Sequence, residues 1–328
     1  MFIGFISFLG AVSVLGLYLL FTRFYESSRQ IVPVSVNYHY TRKCNYECGF
    51  CFHTAKSSYM LPLAHSKRGL KLLKEAGMRK VNFAGGEPFL YPRFLASMVV
   101  YCKDELHLES VSIVTNGSLV KEKFLRDYGK YIDILAVSCD SFNETTNIRI
   151  GRGTGEHIAK LKVLSHLCRE YGIKFKVNTV VNRFNFDEDM NAGITAIDPF
   201  RWKCFQVLII KGENNSQTTL RDATKFSITN EEFQQFCEKH AHKKCLVPES
   251  NEVMRSSYLI LDEYMRFLDK DEDRASDSIL EVGVKAALEK VNWDQDNFVV
   301  RGGLYNWTKE ADSCGPSGCE SSDPMLDW

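Results

Sequence analysis

The chain contains 328 residues, of which 45% are hydrophobic and 25% charged, a composition typical of a folded globular protein. Its 41 basic and 41 acidic side chains cancel, so no net positive field is available for general nucleic-acid binding. The 11 cysteines are odd in number and irregularly spaced, which argues against a secreted disulfide framework. These features favour a globular protein of a reducing compartment with no direct nucleic-acid partner.

The N-terminal segment carries no charge from residue 2 to residue 22, and Arg23 is its first charged side chain. About 20 helical residues cross the hydrocarbon core of a bilayer, so residues 1–22 are predicted to form an apolar helix that anchors the chain to a membrane. Arg23 and Arg29 favour a cytoplasmic location for the domain after this segment. A cleaved signal peptide is the alternative, although it would require positive charge before the apolar run. Residues 23–32 are predicted to be a linker.

Residues 33–215 alternate between strand-like and helix-like patterns. The strands are rich in β-branched and aromatic residues, and the helices place apolar residues such as Leu70 and Leu73 on one side. About six strand–helix units predict an α/β fold with a parallel sheet, the partial (β/α)6 barrel. The predicted strands are 33–40, 80–84, 110–115, 132–138, 174–181 and 203–210, and the predicted helices are 66–76, 94–106, 120–128 and 156–171.

The remaining sequence is less regular. Residues 216–309 are predicted to form an irregular C-terminal extension that covers the active site, with a helix that opens at Asn230, a capping residue, and an extended stretch at 257–261. Residues 310–328 are predicted to be a flexible tail that ends in Trp328. Cys314 and Cys319 in this tail could form a redox pair or a transient iron site, but inert thiols are the simpler interpretation.

Three cysteines follow the first strand at the spacing C-x3-C-x2-C: Cys44, Cys48 and Cys51. Ferredoxin-type electron carriers fill all sites of a 4Fe–4S cluster with cysteine, so three thiolates leave one iron open for another ligand. A tetrahedral zinc site with His53 as the fourth ligand is the alternative. Barrel enzymes place their active sites at the carboxyl ends of the strands, so this position favours the iron–sulfur cluster.

With the aromatic Phe50 before its third cysteine, this motif resembles the signature of the radical S-adenosylmethionine (SAM) superfamily. The resemblance implies a 4Fe–4S cluster and SAM as cofactors, with SAM cleaved to a 5′-deoxyadenosyl radical. It also implies that Gly85-Gly86-Glu87-Pro88, after the second strand, contacts the SAM amino group. Glycines allow backbone carbonyls to approach a ligand closely, and Glu87 can accept a hydrogen bond from an ammonium group.

Polar residues also end the later strands, where the side chains of a barrel converge on one face. Each one alone is as well explained by a cap or a turn, but as a set they are expected to bind the ribose and carboxylate of SAM. They are Thr115, Asn116, Ser138 and Asn178, and Arg152 is predicted to contact the cofactor as well as the substrate.

Basic residues form a second set: Lys80, Arg152, Lys176 and Lys203. A lysine within an apolar strand, such as Lys176, is unusual because a buried ammonium group needs a partner. Pairing with carboxylates at the barrel rim would explain any one of these residues. For the set, a polyanion such as a triphosphate is the better explanation, since it binds several cations at once.

A narrower resemblance covers nearly all of the chain after residue 32, to the interferon-inducible antiviral radical SAM enzymes of animals. It implies a nucleotide dehydratase that removes the ribose 4′ hydrogen of cytidine triphosphate (CTP) and then water, giving 3′-deoxy-3′,4′-didehydro-CTP, a terminator of viral RNA chains. The alternatives are another nucleoside triphosphate, or a membrane-tethered antiviral scaffold with a structural cluster. The matching stretches are 37–44, 82–88, 138–142, 150–153, 182–185, 201–203, 257–265, 301–303 and the final Leu-Asp-Trp328.

The same resemblance implies roles for individual residues. The triphosphate ligands would be Lys80, Arg152, Lys176 and Lys203. Asn37 would lie near the nucleotide, Tyr258 would belong to a segment that closes over it, and Trp328 would bind the cytosolic iron–sulfur assembly machinery. The expected location is the cytoplasmic face of the endoplasmic reticulum membrane or lipid droplets.

Overall fold

The computed structural model describes residues 32–269 and 274–309, and the predicted anchor (1–22) and tail (310–328) lie outside these ranges. Two short strands, β9 (Leu268–Asp269) and β10 (Arg274–Ala275), form a separate antiparallel pair. The main sheet consists of eight parallel strands: β1 (Ser35–His39), β2 (Lys80–Ala84), β3 (Ser110–Thr115), β4 (Ile134–Ser138), β5 (Lys174–Val181), β6 (Arg201–Gln206), β7 (Leu246–Glu249) and β8 (Leu259–Leu261).

The main strands pair in the order β7-β6-β5-β4-β3-β2-β1-β8. Strands β1 to β6 are neighbours in chain order, which confirms the predicted half-barrel of parallel strands. The C-terminal extension also contributes both edge strands, a role that the sequence does not predict. Strand β7 is short and contains Pro248, which a sheet tolerates at its edge but which masks the strand pattern in the sequence. Strand β8 lies within the extended stretch predicted at 257–261.

Eleven α-helices lie within the described ranges. The predicted helix 94–106 is α-helical only to Val100 and continues as a π-helical turn over Tyr101–Glu105. The helices are α1 (Leu63–Glu75), α2 (Pro92–Val100), α3 (Glu122–Tyr128), α4 (Glu144–Ile150), α5 (His157–Glu170), α6 (Asn191–Ile197), α7 (Asn230–Lys239), α8 (Asn251–Ser257), α9 (Ile279–Val282), α10 (Val284–Leu288) and α11 (Gln295–Val300).

The cap of α7 is Thr229 rather than the predicted Asn230. The Thr229 hydroxyl accepts a hydrogen bond from the Glu232 amide at 3.1 Å, and the Glu232 carboxylate accepts one from the Thr229 amide at 2.8 Å. This reciprocal capping box satisfies two amides at the helix start, whereas a cap one residue later would leave them without partners.

Alternate residues of each strand face opposite sides of the sheet. In β1, Val36 and Tyr38 are fully buried in the main core, which they share with Leu70 of α1 and Val81 and Phe83 of β2. Burying each large apolar side chain contributes about 1.5–3 kcal/mol, so this face fixes the register of the strands. The other face of β1 lines a central cavity with Ser35, Asn37 and His39.

The end of the C-terminal extension covers the amino ends of the strands. The Ser110 hydroxyl, at the start of β3, donates to the Trp307 carbonyl at 3.0 Å, and the Lys309 amide donates to Asp133, just before β4, at 3.3 Å. The cysteine segment follows β1 and therefore lies at the opposite end. In the described part of the chain no helix is long and apolar enough to cross a membrane, and the predicted anchor lies outside that part.

Candidate active site

A cavity of about 340 Å³ lies on the inner face of the sheet, between the cysteine segment and the C-terminal extension. Its volume and mixed apolar and polar lining are typical of a small-molecule site. Glu87 and Pro88 are the predicted site residues that do not line it. Those that do are Asn37, Cys44, Cys48, Cys51, Lys80, Gly85, Gly86, Thr115, Asn116, Ser138, Arg152, Lys176, Asn178, Lys203 and Tyr258.

The Gly-Gly-Glu turn after β2 holds the cysteine segment in place. The Gly86 amide donates to the Thr41 carbonyl and the Glu87 amide to the Lys43 carbonyl, both at 2.8 Å. A Cβ atom on Gly86 would lie 1.9 Å from the Lys43 oxygen, and one on Gly85, whose φ is +125°, would lie 2.3 Å from the Thr41 oxygen. The two glycines are therefore required for the packing of this turn against the segment that carries the cysteines.

We expect Gly86→Ala to prevent cluster assembly, because its methyl group would push the cysteine segment away from β2. The variant should retain less than about a tenth of the wild-type iron after anaerobic reconstitution, measured as iron and sulfide content. Gly129→Ala is the matched control, since its φ is −57° and an added methyl first meets the flexible Ile173 side chain at 3.2 Å. A Gly86→Ala protein with a full iron content would contradict this account.

The Glu87 carboxylate is fully buried and already bonded within the protein. One of its oxygens accepts from the Thr115 hydroxyl at 2.7 Å and the other from the Asn116 amide at 2.8 Å. The carboxylate thus joins the ends of β2 and β3, and a contact between Glu87 and the SAM ammonium group stays a prediction. Pro88 has a similar structural part, since its carbonyl accepts from the buried Tyr40 hydroxyl at 2.7 Å.

The turn after α4 supports the cysteine segment from another side. The Glu47 amide donates to the Gly151 carbonyl at 3.1 Å, and the Cys48 thiol donates to the same carbonyl at 3.7 Å. Arg152 is buried and forms an ion pair with Asp140. Burial raises the pKa of Cys48 to about 12, and the charge of Arg152 opposes this effect. Arg152 therefore favours the thiolate form that iron binding requires.

The structure divides the predicted basic set into two groups. Arg152 interacts with Asp140 and the cysteines. Lys176 instead has Lys203, Lys80 and Arg201 as its cationic neighbours. Triphosphate binding by Arg152 stays a prediction. The residues around Arg152 instead favour a role at the end of the cavity that carries the cysteines.

The three lysines of the cavity, Lys80, Lys176 and Lys203, are called the lysine cluster below. Burial lowers the pKa of Lys80 and of Lys203 to about 7. Burial and the other two lysines also place the pKa of Lys176 well below its usual value. Within the described residues Lys176 forms no hydrogen bond or ion pair. Cations in such surroundings indicate an anionic ligand, which would supply the missing charge.

The Glu249 carboxylate connects the lysine cluster to the C-terminal extension. It is fully buried, pairs with Lys203 and, at 3.1 Å, with Arg301, and accepts a hydrogen bond from the Tyr258 hydroxyl. The Lys203 ammonium donates to the Tyr258 hydroxyl at 2.9 Å, and the Arg301 guanidinium lies 3.9 Å from the centre of the Tyr258 ring. Burial alone would raise the pKa of Glu249, but its two cationic partners hold it at about 2.

The polar residues at the strand ends are partly available for a ligand. The Oδ1 atom of Asn178 is buried and has no hydrogen-bond partner among the described residues. The Asn116 side-chain amide donates to the Cys44 sulfur at 3.8 Å, which links this strand end to the cysteines. The Ser138 carbonyl is engaged with the His157 ring at 2.8 Å. Asn178 thus best fits the predicted contact with SAM, and the same part for Ser138 stays a prediction.

Three residues at the lysine end of the cavity are not assigned by the sequence: Glu249, Arg301 and Tyr305. Tyr305 lines the cavity, and its hydroxyl accepts a hydrogen bond from Lys80 at 3.1 Å. Arg301 lies in the Arg-Gly-Gly turn that is among the matching stretches, which is the signal that could have found it. Glu249 ends a short edge strand and carries no motif, so only the structure reveals it.

A half-barrel of parallel strands with three cysteines at one end of its cavity defines a radical SAM protein. Residues 38–192 match the Radical SAM superfamily. Two solved structures share the fold: native anSMEcpe with bound AdoMet has a TM-score of 0.59 at 13% identity, covering 82% of this chain and 84% of that chain. Streptococcus suis SuiB bound to S-adenosylmethionine has a TM-score of 0.57 at 16% identity, covering 83% and 68%. The cofactors are accordingly an iron–sulfur cluster and SAM.

The sequence relatives narrow this class. The chain is 56% identical to S-adenosylmethionine-dependent nucleotide dehydratase RSAD2 of Danio rerio over 283 residues, 84% of this chain and 79% of the relative. It is 36% identical to S-adenosylmethionine-dependent nucleotide dehydratase of Flammeovirga pacifica over 293 residues, 86% of this chain and 98% of the relative. The chain therefore belongs to the family of radical SAM nucleotide dehydratases that includes RSAD2, or viperin.

Proposed function

We propose that the chain converts CTP to 3′-deoxy-3′,4′-didehydro-CTP, a terminator of viral RNA synthesis. The observation that carries this proposal is a single cavity that holds both the three cysteines and the lysine cluster, in which Lys176 forms no hydrogen bond or ion pair with the described residues. The names of the relatives support a nucleotide as the substrate. The stretches that match the antiviral enzymes of animals support CTP among the nucleotides.

The cofactor end of the cavity fits a 4Fe–4S cluster with SAM. Cys44, Cys48 and Cys51 line it together, so three thiolates would hold the cluster and leave one iron for SAM. Asn178, with its free Oδ1 atom, and the backbone of the Gly-Gly turn would hold SAM. When bound, these cofactors supply an electron and a 5′-deoxyadenosyl radical that removes a hydrogen atom from the substrate.

At the other end, the lysine cluster would bind the triphosphate and so place the ribose between the phosphates and SAM. Loss of the 3′ hydroxyl as water requires a proton. Tyr258 would donate it from its hydroxyl, whose pKa is raised by burial and by Glu249 and lowered by the Arg301 guanidinium. Lys203 would then return a proton to Tyr258 through the 2.9 Å hydrogen bond.

The direct test is anaerobic reconstitution of the full chain with iron and sulfide, followed by incubation with SAM, dithionite and each nucleoside triphosphate separately. Mass spectrometry should show 5′-deoxyadenosine formation stimulated by CTP and a nucleotide product lighter by one water. Cys44→Ser, Cys48→Ser and Cys51→Ser should each abolish it, whereas Cys237→Ser, outside the cavity, should not. Stimulation by another nucleotide would replace the substrate, and a formed cluster that never cleaves SAM would overturn the proposal in favour of a scaffold.

Nucleotide binding should take up protons and weaken with rising pH. Lys80 and Lys203 have pKa values of about 7 in the free protein, and a bound triphosphate would raise them. Affinity is therefore highest when both are charged, and it should fall by up to about tenfold per pH unit for each lysine above pH 7. Calorimetry at pH 8 in buffers of different ionisation enthalpy measures the uptake, since phosphates, with a pKa of about 6, are already deprotonated. Equal heats in all buffers would contradict it.

We also propose that residues 1–22 anchor the chain to the cytoplasmic face of the endoplasmic reticulum or to lipid droplets. The uncharged run from residue 2 to residue 22 supports this.

For Trp328 we propose binding to the cytosolic iron–sulfur assembly machinery, supported by an aromatic residue at the end of a polar tail. Cell fractionation with and without residues 1–22, and the iron content of protein made in cells with and without Trp328, test the two proposals.

A further inference from the structure

The inner face of β1 carries a residue that the proposed function does not use. His39 lines the cavity, is 8% exposed, and has a buried Nδ1 atom without a hydrogen-bond partner among the described residues. The His53 ring lies edge-on to it, 4.4 Å between centroids, and both nitrogens of that ring also lack partners in the described part of the chain. A buried polar atom without a partner costs about 1–3 kcal/mol, so such a pair in a cavity indicates a ligand.

The chemistry of His39 limits the kind of ligand that it can bind. Burial, with a contribution from Arg42, lowers the pKa of His39 to about 3. The imidazole is therefore neutral at physiological pH and offers one N–H donor and one acceptor nitrogen. A neutral ring of this kind suits a sugar hydroxyl or the edge of a base, whereas a phosphate would select a cation.

The register of the strands locates His39 along the cavity. Ser35 pairs with Lys80 at one end of β1, and His39 pairs with Ala84, directly before Gly85, at the other. Inward-facing residues of a strand are about 6.6 Å apart, so Asn37 and His39 form a polar column between the lysine cluster and the Gly-Gly turn. A nucleotide with its phosphates on the lysines would place its nucleoside beside this column.

We propose that His39 is a further substrate-binding residue, which hydrogen-bonds the nucleoside part of the nucleotide and is held in orientation by the ring of His53. This proposal about His39 rests on the proposed function, because it assumes a nucleoside triphosphate in this cavity. Its consequence is geometric. His39 would fix the sugar carbon that loses hydrogen against the cofactor end of the cavity, so that cofactor cleavage and product formation stay coupled.

The test compares His39→Phe, which keeps a ring of similar size but cannot hydrogen-bond, with His39→Gln, which keeps a donor and an acceptor. In the reconstituted holoenzyme, His39→Phe should raise the KM for CTP about tenfold or more and produce several 5′-deoxyadenosine molecules per nucleotide product. His39→Gln should keep the KM for CTP, and the number of 5′-deoxyadenosine molecules formed per product, within about threefold of wild type. Both variants should keep the wild-type iron content and the wild-type spectrum of the reduced cluster. A substitution that only disturbed the fold would change them.

A His39→Phe enzyme with a wild-type KM and wild-type coupling would overturn the proposal. If that variant fails to assemble its cluster, calorimetry of CTP binding to cluster-free His39→Phe and His39→Gln decides, since equal affinity in the two variants would overturn the proposal equally. Absence of CTP binding by the wild type would instead show that the proposed function itself has failed.

Discussion

Lys176→Met is expected to make the free protein more stable and to abolish nucleotide binding. The Lys176 ammonium lies in the cavity with three cationic neighbours, Lys203, Lys80 and Arg201, and without a hydrogen bond or ion pair in the described residues. Methionine removes this uncompensated charge and keeps the length of the side chain, so the free energy of unfolding should rise by roughly 1–3 kcal/mol. A triphosphate needs the same charge, so its affinity should fall by about 100-fold or more. Thermal unfolding and calorimetry with CTP measure the two effects.

Lys174→Met is the matched control on the same strand. The Lys174 ammonium donates to the Asn306 carbonyl at 3.2 Å, and its removal should give no stabilisation. The pH dependence supplies a further check on the cause. Because the folded-state pKa of Lys176 lies below its unfolded value, its penalty is complete below the folded pKa and disappears as pH rises towards about 10. The stability advantage of Lys176→Met should therefore shrink by roughly 1 kcal/mol per pH unit above neutrality. A variant no more stable than wild type would contradict a charge penalty.

The fold follows from the sequence where local patterns decide it. Strands β1 to β6 carry period-2 or continuous apolar patterns between helix-length segments, and they form the predicted half-barrel. The two edge strands come instead from distant parts of the chain: β8 pairs with β1 across more than 200 residues, as in the Val36–Leu259 register. No local pattern specifies such a pairing. Helix α4 is short, and its Asn143 cap becomes recognisable only once the chain on either side is placed.

The candidate site divides in the same way. Cys44, Cys48 and Cys51 can be proposed as cluster ligands from their spacing alone, because all three lie in one short segment. The partners of the lysine cluster are not local: Glu249 lies 46 residues from Lys203 in sequence. Glu87 lies in a motif that the sequence identifies, but its hydrogen bonds to the Thr115 hydroxyl and the Asn116 amide become visible only in the structure. For His39 a signal did exist, because β1 alternates polar and apolar residues and all its polar residues face the cavity.

Glu249→Gln is expected to destabilise the free protein strongly, and a nucleotide should partly reverse the loss. Glutamine leaves Lys203 and Arg301 buried without the negative charge that now neutralises them. Removing one partner of a buried ion pair costs about 3–5 kcal/mol, so a fall in unfolding temperature of many degrees is expected. The Arg301 guanidinium also donates to the Ser257 carbonyl at 3.0 Å. We expect Arg301 to shift when it loses its carboxylate partner and so to weaken this bond. The C-terminal extension should then become easier to cleave by protease.

If an anion restores the stability of Glu249→Gln, the variant is destabilised by the lost negative charge rather than by altered packing. If the lysine cluster binds a triphosphate, CTP or inorganic triphosphate would supply negative charge beside Lys203, and the ligand-induced rise in unfolding temperature should be larger in Glu249→Gln than in wild type. Glu109→Gln is the control, because its ion pair with Arg79 is exposed and should be worth less than about 1 kcal/mol. An equal shift in both proteins would mean that Glu249 and the ligand do not share the same cations. A larger shift would identify Glu249 as the buried counter-ion of the cationic end of the cavity in the free protein.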